Sequence, residues 1–133
     1  MKYSNAACLC RFLTCTGTGT QGKSADGIPG IRATIGNPRA VAVDDIGNVY
    51  FTDSFNHNIR KIGTDGIIQT IAGTGVRASR FVTEGVAKNT ALNNPYDIIV
   101  DKDGNVIFVH FNYYSVQKIT PEGRLSTLAG DVK

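Results

Sequence analysis

The sequence predicts an all-β protein made from two copies of one four-stranded antiparallel unit. Three observations carry this. A repeat runs through the 133 residues at an offset of 57, short apolar segments are divided by Gly, Asn and Asp, and no stretch sustains a helical period. Composition agrees with a folded chain: 41% hydrophobic and 19% charged residues, with 15 glycines spread along it as turn-formers.

The repeat is read directly. Asn37-Pro38 recurs as Asn94-Pro95, Val43-Asp44 as Val100-Asp101, and Gly47-Asn48-Val49 as Gly104-Asn105-Val106. The register holds through Lys61-Ile62 and Lys118-Ile119 to Ala72-Gly73 and Ala129-Gly130. Strands are expected at 40–43, 49–52, 59–62 and 67–71 in the first copy. The second copy places them at 97–100, 106–109, 116–119 and 125–128. Asp44 to Asn48 and Asp101 to Asn105 suit tight hairpins, because Asp, Asn and Gly bond locally to the backbone or accept a positive φ. Four antiparallel strands joined hairpin by hairpin are the pattern of a β-propeller blade.

Asn56-His57-Asn58-Ile59-Arg60-Lys61-Ile62 resembles the signature of the NHL-repeat propellers. Residues 37–44 and 47–53 are similar to that repeat's first two strands, whereas the second copy carries Tyr113-Tyr114-Ser115 and His110 at the equivalent places. The resemblance covers about residues 12–133 and implies an incomplete ring of about two blades, since the family's rings commonly close with six. Residues 12–19 match the end of a blade. The expected organisation is therefore 1–16 as a terminal segment with the last strand of a preceding blade, 17–75 as linker plus first blade, and 76–133 as linker plus second, diverged blade. The linkers, near 17–36 and 73–93, are expected to be ordered loops on one rim. A chain that starts midway through a repeat is expected to be a fragment of a longer propeller. If it is complete, self-association follows, because repeat units need neighbours to bury their faces.

Several motifs invite other chemistries. Gly17-Thr18-Gly19-Thr20-Gln21-Gly22-Lys23-Ser24 fits the phosphate-loop pattern, but two glycines and a proline follow where a helix is required. Asp101-Lys102-Asp103-Gly104-Asn105 resembles the start of a calcium loop yet lacks a distal acidic ligand at the right spacing. Asp53, Ser54 and His57 have the residue types of a hydrolytic triad with no reason to converge. His57 and His110 occupy different places in their repeats, so no shared metal ligand set is expected. Catalytic, cofactor and metal residues are therefore none, and the chain is expected not to be an enzyme.

The expected function is a protein-interaction scaffold acting through its linkers. Arg39, Arg60, Lys61, Arg77, Arg80 and Lys88 are the candidate surface. The net charge of +3 falls short of a dedicated nucleic-acid footprint. The resemblance also implies two alternatives: an RNA-binding surface, as on some NHL propellers of tripartite-motif proteins, and a hydrolase or lyase with a channel metal in the full-length protein. No membrane partner is expected. The apolar run at 6–10 is short and is interrupted by Arg11, so no targeting segment is read there. The three cysteines, Cys8, Cys10 and Cys15, are an odd number confined to one end, a poor disulfide framework, and no fourth ligand is at hand for a metal site. A reducing, cytoplasmic location is the expectation that follows.

Overall fold

The computed structural model describes residues 16–130. The strand expected near residues 12–15 and the three cysteines lie outside them. The described residues form β1 (Pro38–Val43), β2 (Val49–Asp53), β3 (Asn58–Ile62), β4 (Ile68–Ala72), β5 (Glu84–Val86), β6 (Pro95–Val100), β7 (Val106–His110), β8 (Ser115–Ile119) and β9 (Arg124–Ala129). Two antiparallel sheets result, ordered β1-β2-β3-β4 and β5-β9-β8-β7-β6. The eight strands expected from the repeat are all present; β4 is shifted by one residue at unchanged length, and the others are longer by one or two residues.

The hairpins close as their residue types require. Asp44 Oδ1 accepts the amides of Ile46 at 3.2 Å and Asn48 at 2.8 Å. Asp101 Oδ1 does the same for Asp103 and Asn105, both at 2.9 Å. These turns, with those at 63–67 and 120–123, make one rim of the molecule, here the hairpin rim. The opposite rim carries the turns Ser54–Asn56 and Phe111–Tyr113 and is here called the signature rim. Each of its turns is followed by a left-handed residue, His57 at φ 55° and Tyr114 at φ 50°. The outer strand of each blade ends on a glycine of positive φ beside that residue. A Cβ on Gly73 would run into the His57 carbonyl oxygen, and one on Gly130 would meet that of Tyr114.

The linkers differ from expectation. They are not confined to one rim but cross the flank of the blade they feed. β5 pairs with β9 as a fifth strand, with Val86 opposite Arg124. At the same repeat position Pro29 makes only an isolated bridge to Ile67, since proline has no amide to extend a ladder. Both linkers then make a single 3-10 turn, Gly30–Arg32 and Ala87–Asn89.

The main core lies between the two blades. Tyr50, Ile59 and Ala72 of the first meet Ile98, Val106, Phe108, Ile119 and Leu125 of the second, with Ala87 and Leu92 of the linker between them. A second cluster, Phe51, Ile62 and Ile68, is covered by Ile28, Ala33 and Ile35 of the first linker. Long loops are ordered here because they supply core side chains, which offsets the entropy of fixing them.

Candidate functional site

The signature residues build an internal clasp rather than a surface. Asp53 is fully buried; its Oδ1 accepts the Gly36 amide at 2.6 Å, and its carboxylate accepts from Asn56 Nδ2 at 3.0 and 3.1 Å. Arg60, 1% exposed, approaches Asp53 at 3.5 Å and Asp26 at 3.3 Å, and donates to the Ser24 carbonyl at 3.1 Å. Arg60 was expected on an interaction surface. It is withdrawn from that surface, because its guanidinium holds the first linker to the blade.

In the second blade a neutral relay takes the same positions. His110 Nε2 accepts the Asn93 amide at 2.6 Å, and its Nδ1 lies 3.2 Å from Gln117 Oε1. The bonding assigns the proton to Nδ1, leaving Gln117 Nε2 to donate to the Val82 carbonyl and Thr127 Oγ1. Burial drives the His110 pKa down to about 4, against the opposing pull of its bonds to Gln117 and Asn93. His57 Nδ1 accepts the amide of Asn94 at 3.1 Å, so the two histidines clamp consecutive amides. Burial and the charges of Arg77 and Lys23 lower the His57 pKa as well.

These bonds account for the other motifs. Ser54 Oγ donates to the Pro95 carbonyl at 2.6 Å, so it faces neither Asp53 nor His57 as a nucleophile would. Both Asp101 oxygens are engaged by its own hairpin. Residues 17–24 run beside 34–35, with the Gly22 and Ser24 amides donating to the Ile35 and Thr34 carbonyls; no α-helix follows. Among the described residues no group of three or more His, Cys, Asp or Glu is placed to hold a metal.

The remaining basic candidates divide between the rims. Lys61 and Lys88 line a groove of about 280 Å³ between the blades near the hairpin rim, beside Tyr50 and Gly123. Lys61 Nζ lies 5.7 Å from the Tyr50 ring, whose pKa burial and the Asp44 carboxylate push up to about 12. Arg39, Arg77 and Arg80 are exposed on the signature rim, the last two flanking Ala78, whose carbonyl accepts the Tyr113 hydroxyl at 3.0 Å. There the Arg39 guanidinium sits 4.9 Å from the centre of the Tyr96 ring, and Tyr96 stacks on Phe111 at 5.5 Å. Phe55, 57% exposed, and Tyr114, 88% exposed, stand in the adjoining turns. Sequence reasoning missed these aromatics. The readable signal was that Tyr96 occupies the repeat position of Arg39.

A family model described as the teneurin NHL domain matches residues 10–82. The chain belongs to the teneurin NHL domain family. The match spans the first blade and the linker after it, in keeping with divergence of the second. Mouse Teneurin-3 is 31% identical over 124 residues, covering 86% of this chain and 4% of its own length. Drosophila melanogaster Teneurin-m is 26% identical over 117 residues, covering 84% and 4%. The chain thus spans about 4% of these relatives' length. Among solved structures, a structural genomics protein of unknown function from Bacteroides thetaiotaomicron VPI-5482 aligns with TM-score 0.67 and 26% identity, over 84% of this chain and 26% of that one. A chain of the nidogen/laminin complex aligns with TM-score 0.56 and 25% identity, over 76% and 35%. The two blades are part of an NHL-type β-propeller.

The cytoplasmic, reducing location expected from the sequence is overturned by this kinship. Teneurins are type II transmembrane proteins of the cell surface, and their NHL domain lies outside the cell. That expectation rested on the poor disulfide pattern of three cysteines and on finding no leader or span in a stretch equal to 4% of its relatives, where an anchor elsewhere leaves no trace. Among the described residues no helix is long and apolar enough to cross a membrane.

Proposed function

We propose that the chain is an extracellular protein-interaction module that engages its partner through the signature rim, with 17–75 and 76–133 each acting as a linker and the blade it feeds. The observation that carries this reading is the exposed stack of Arg39, Tyr96 and Phe111, with Phe55, Arg77 and Arg80 around it. Arginine and large aromatics dominate the energetics of protein interfaces, because they bring wide contact area and directed bonds at a small entropy cost. Here Arg39 and Tyr96 stand at the starts of β1 and β6, and Phe55 and Phe111 in turns that follow the Asp53 and His110 clasps, so little ordering of the stack is left to be done on binding. Membership among cell-surface adhesion proteins supports a protein partner over RNA. The partner's matching chemistry is acidic side chains beside an aromatic or apolar one.

Panning a displayed peptide library against the immobilised chain tests this, with single-stranded RNA as counter-probe. Enriched peptides should combine Asp or Glu with an aromatic residue. Arg39→Ala or Tyr96→Ala should weaken them by about tenfold or more, a loss of roughly 1.4 kcal/mol, while Lys61→Ala on the other rim leaves them unchanged. Peptides indifferent to Arg39 and Tyr96, or steeply salt-dependent RNA binding of equal strength, would overturn the proposal.

A further inference from the structure

Lys23, His57 and Arg77 meet on the signature rim from three separate segments, each held in place by its neighbours' bonds. Lys23 stands between Gly22, whose carbonyl accepts from Asn56 Nδ2 at 2.8 Å, and Ser24, whose amide donates to the Thr34 carbonyl at 3.1 Å. Its ammonium crosses to the second linker and rests on Gly75, where a Cβ would collide with Nζ. Arg77 follows two residues on, just before Ala78, whose amide donates to the Leu92 carbonyl at 2.8 Å. His57 lies against the same stretch, since a Cβ on Gly73 would strike its carbonyl oxygen.

These cations lack a counter-charge. Both ion pairs among the described residues belong to Arg60, which takes Asp53 and Asp26. Burial lowers the His57 pKa, and the charges that add to this, Arg77 and Lys23, are both positive. His57 Nδ1 accepts the Asn94 amide, so the ring proton sits on Nε2 and a neutral donor joins the two cations. Neighbouring blades of the ring leave the set open. It is built at the junction inside the chain, and Arg80, the repeat equivalent of Lys23, is exposed with a whole blade before it. In the second blade Tyr114 replaces His57, so the set is not repeated there.

We propose that Lys23, His57 and Arg77 form a seat for one carboxylate, that of an Asp or Glu side chain on the partner. This rests on the reading that the signature rim receives an acidic, aromatic-bearing partner, and it places the acid. The arginine fork matches a planar carboxylate, the lysine adds a point charge, and Nε2–H supplies a third donor. Arg39 already lies over Tyr96, which leaves the acid to this seat. Phe55 stands two residues before His57, and Tyr96 two after Asn94, so an aromatic beside the acid reaches the stack. Lys23 is the lysine of the phosphate-loop pattern. Without the helix amides which that pattern needs, its charge suits a single carboxylate rather than a polyphosphate.

Two titrations of the 133-residue chain test this. In the first, sodium acetate at constant ionic strength is followed by NMR of the histidine rings. It should shift the His57 signals saturably and raise the His57 pKa, because a carboxylate beside the ring favours its charged form. The titratable groups that face that ring are Lys23, Arg77 and His110. Lys23→Ala and Arg77→Ala should each weaken acetate by about fivefold or more. Should either fail to fold by circular dichroism, Lys23→Gln and Arg77→Gln, which keep the stems, carry the same expectation. The second titration uses the acidic peptides enriched on the rim. Converting their Asp or Glu to the amide should lose as much affinity as Lys23→Ala, and the two changes together no more than either alone. Peptides that need Arg39 and Tyr96 but are indifferent to Lys23 and Arg77 would overturn the seat and leave the rim as the docking surface. Acetate held at His57 with no acidic peptide enriched would support the seat and remove the rim's protein partner. Acetate that leaves the His57 signals unmoved would overturn the seat outright.

Discussion

In the first blade the Gly36 amide donates to Asp53 Oδ1 at 2.6 Å; in the second the Asn93 amide donates to His110 Nε2 at 2.6 Å. Behind each acceptor stands a longer side chain, Arg60 or Gln117, and behind that a threonine, Thr70 or Thr127. Thr70 bonds to the carboxylate of Asp26 and Thr127 to the carbonyl of Thr83, which holds the equivalent place. The geometry is kept while the chemistry changes from a buried ion pair to a neutral relay. The fold therefore demands a well-placed acceptor for the linker amide and is indifferent to whether charge supplies it. Charge does decide how each clasp fails. An ion pair is vulnerable to loss of one partner, a histidine relay to protons.

The largest effect is expected at Arg60. Arg60→Ala leaves the buried Asp53 carboxylate without its cation and should cost about 3–5 kcal/mol, read as a lower urea midpoint or loss of a cooperative transition. Gln117→Ala at the matching position removes one acceptor from a neutral ring and should cost about 1–3 kcal/mol. Equal losses at the two sites would break the contrast between charged and neutral clasps.

Acid should act on the second blade. The His110 pKa is about 4 in the folded chain and near 6.5 when exposed, so the unfolded chain takes up the proton first as pH falls. The relay's contribution is complete above about pH 6.5 and declines as pH falls towards 4, by about 3 kcal/mol in all. Protonation would place an N–H against the Asn93 N–H, two donors with no acceptor between them. Urea unfolding at stepped pH should show this slope in wild type and a much shallower one in His110→Gln; parallel slopes would remove His110 as the cause. His57, whose depressed pKa acts in the same direction, contributes to the residual slope, and Asp101 and Glu122, held below the usual carboxylate range by their hairpin hydrogen bonds, add to it at the acid end.

The strands were legible because turn chemistry and apolar spacing are local, and the repeat allowed each copy to check the other. β5 was not: Glu84-Gly85-Val86 has no period, and its pairing with β9 depends on residues about forty positions away. Arg60 was misplaced for a related reason. An arginine is ordinarily solvated; its partner Asp53 stands on the neighbouring strand β2, but Asp26 reaches it only after the linker folds back and covers both. Yet the sequence held a usable sign. Asp53 becomes His110 and Arg60 becomes Gln117, so both charges vanish together between copies, as contacting partners do. The aromatic stack on the signature rim was hidden in the same way, since Arg39 and Tyr96 touch across a blade boundary that no local reading crosses.

The smallest expected effect separates the two left-handed residues that close the signature turns. His57 and Tyr114 share a backbone conformation that costs an ordinary residue about 1–2 kcal/mol and glycine almost nothing. Glycine also loses about 0.5–1 kcal/mol more chain entropy on folding, so relief alone is worth a few tenths to about 1 kcal/mol. Tyr114 is 88% exposed and projects into solvent, so Tyr114→Gly should stabilise the chain by that small margin. His57→Gly gains the same relief but removes the acceptor of the Asn94 amide, a loss of about 1–3 kcal/mol, and should be net destabilising. Thermal melts of the two variants should therefore move in opposite directions. Stabilisation in both would mean that the His57 bond adds nothing beyond the turn, and destabilisation in both that the left-handed conformation carries no strain for glycine to relieve.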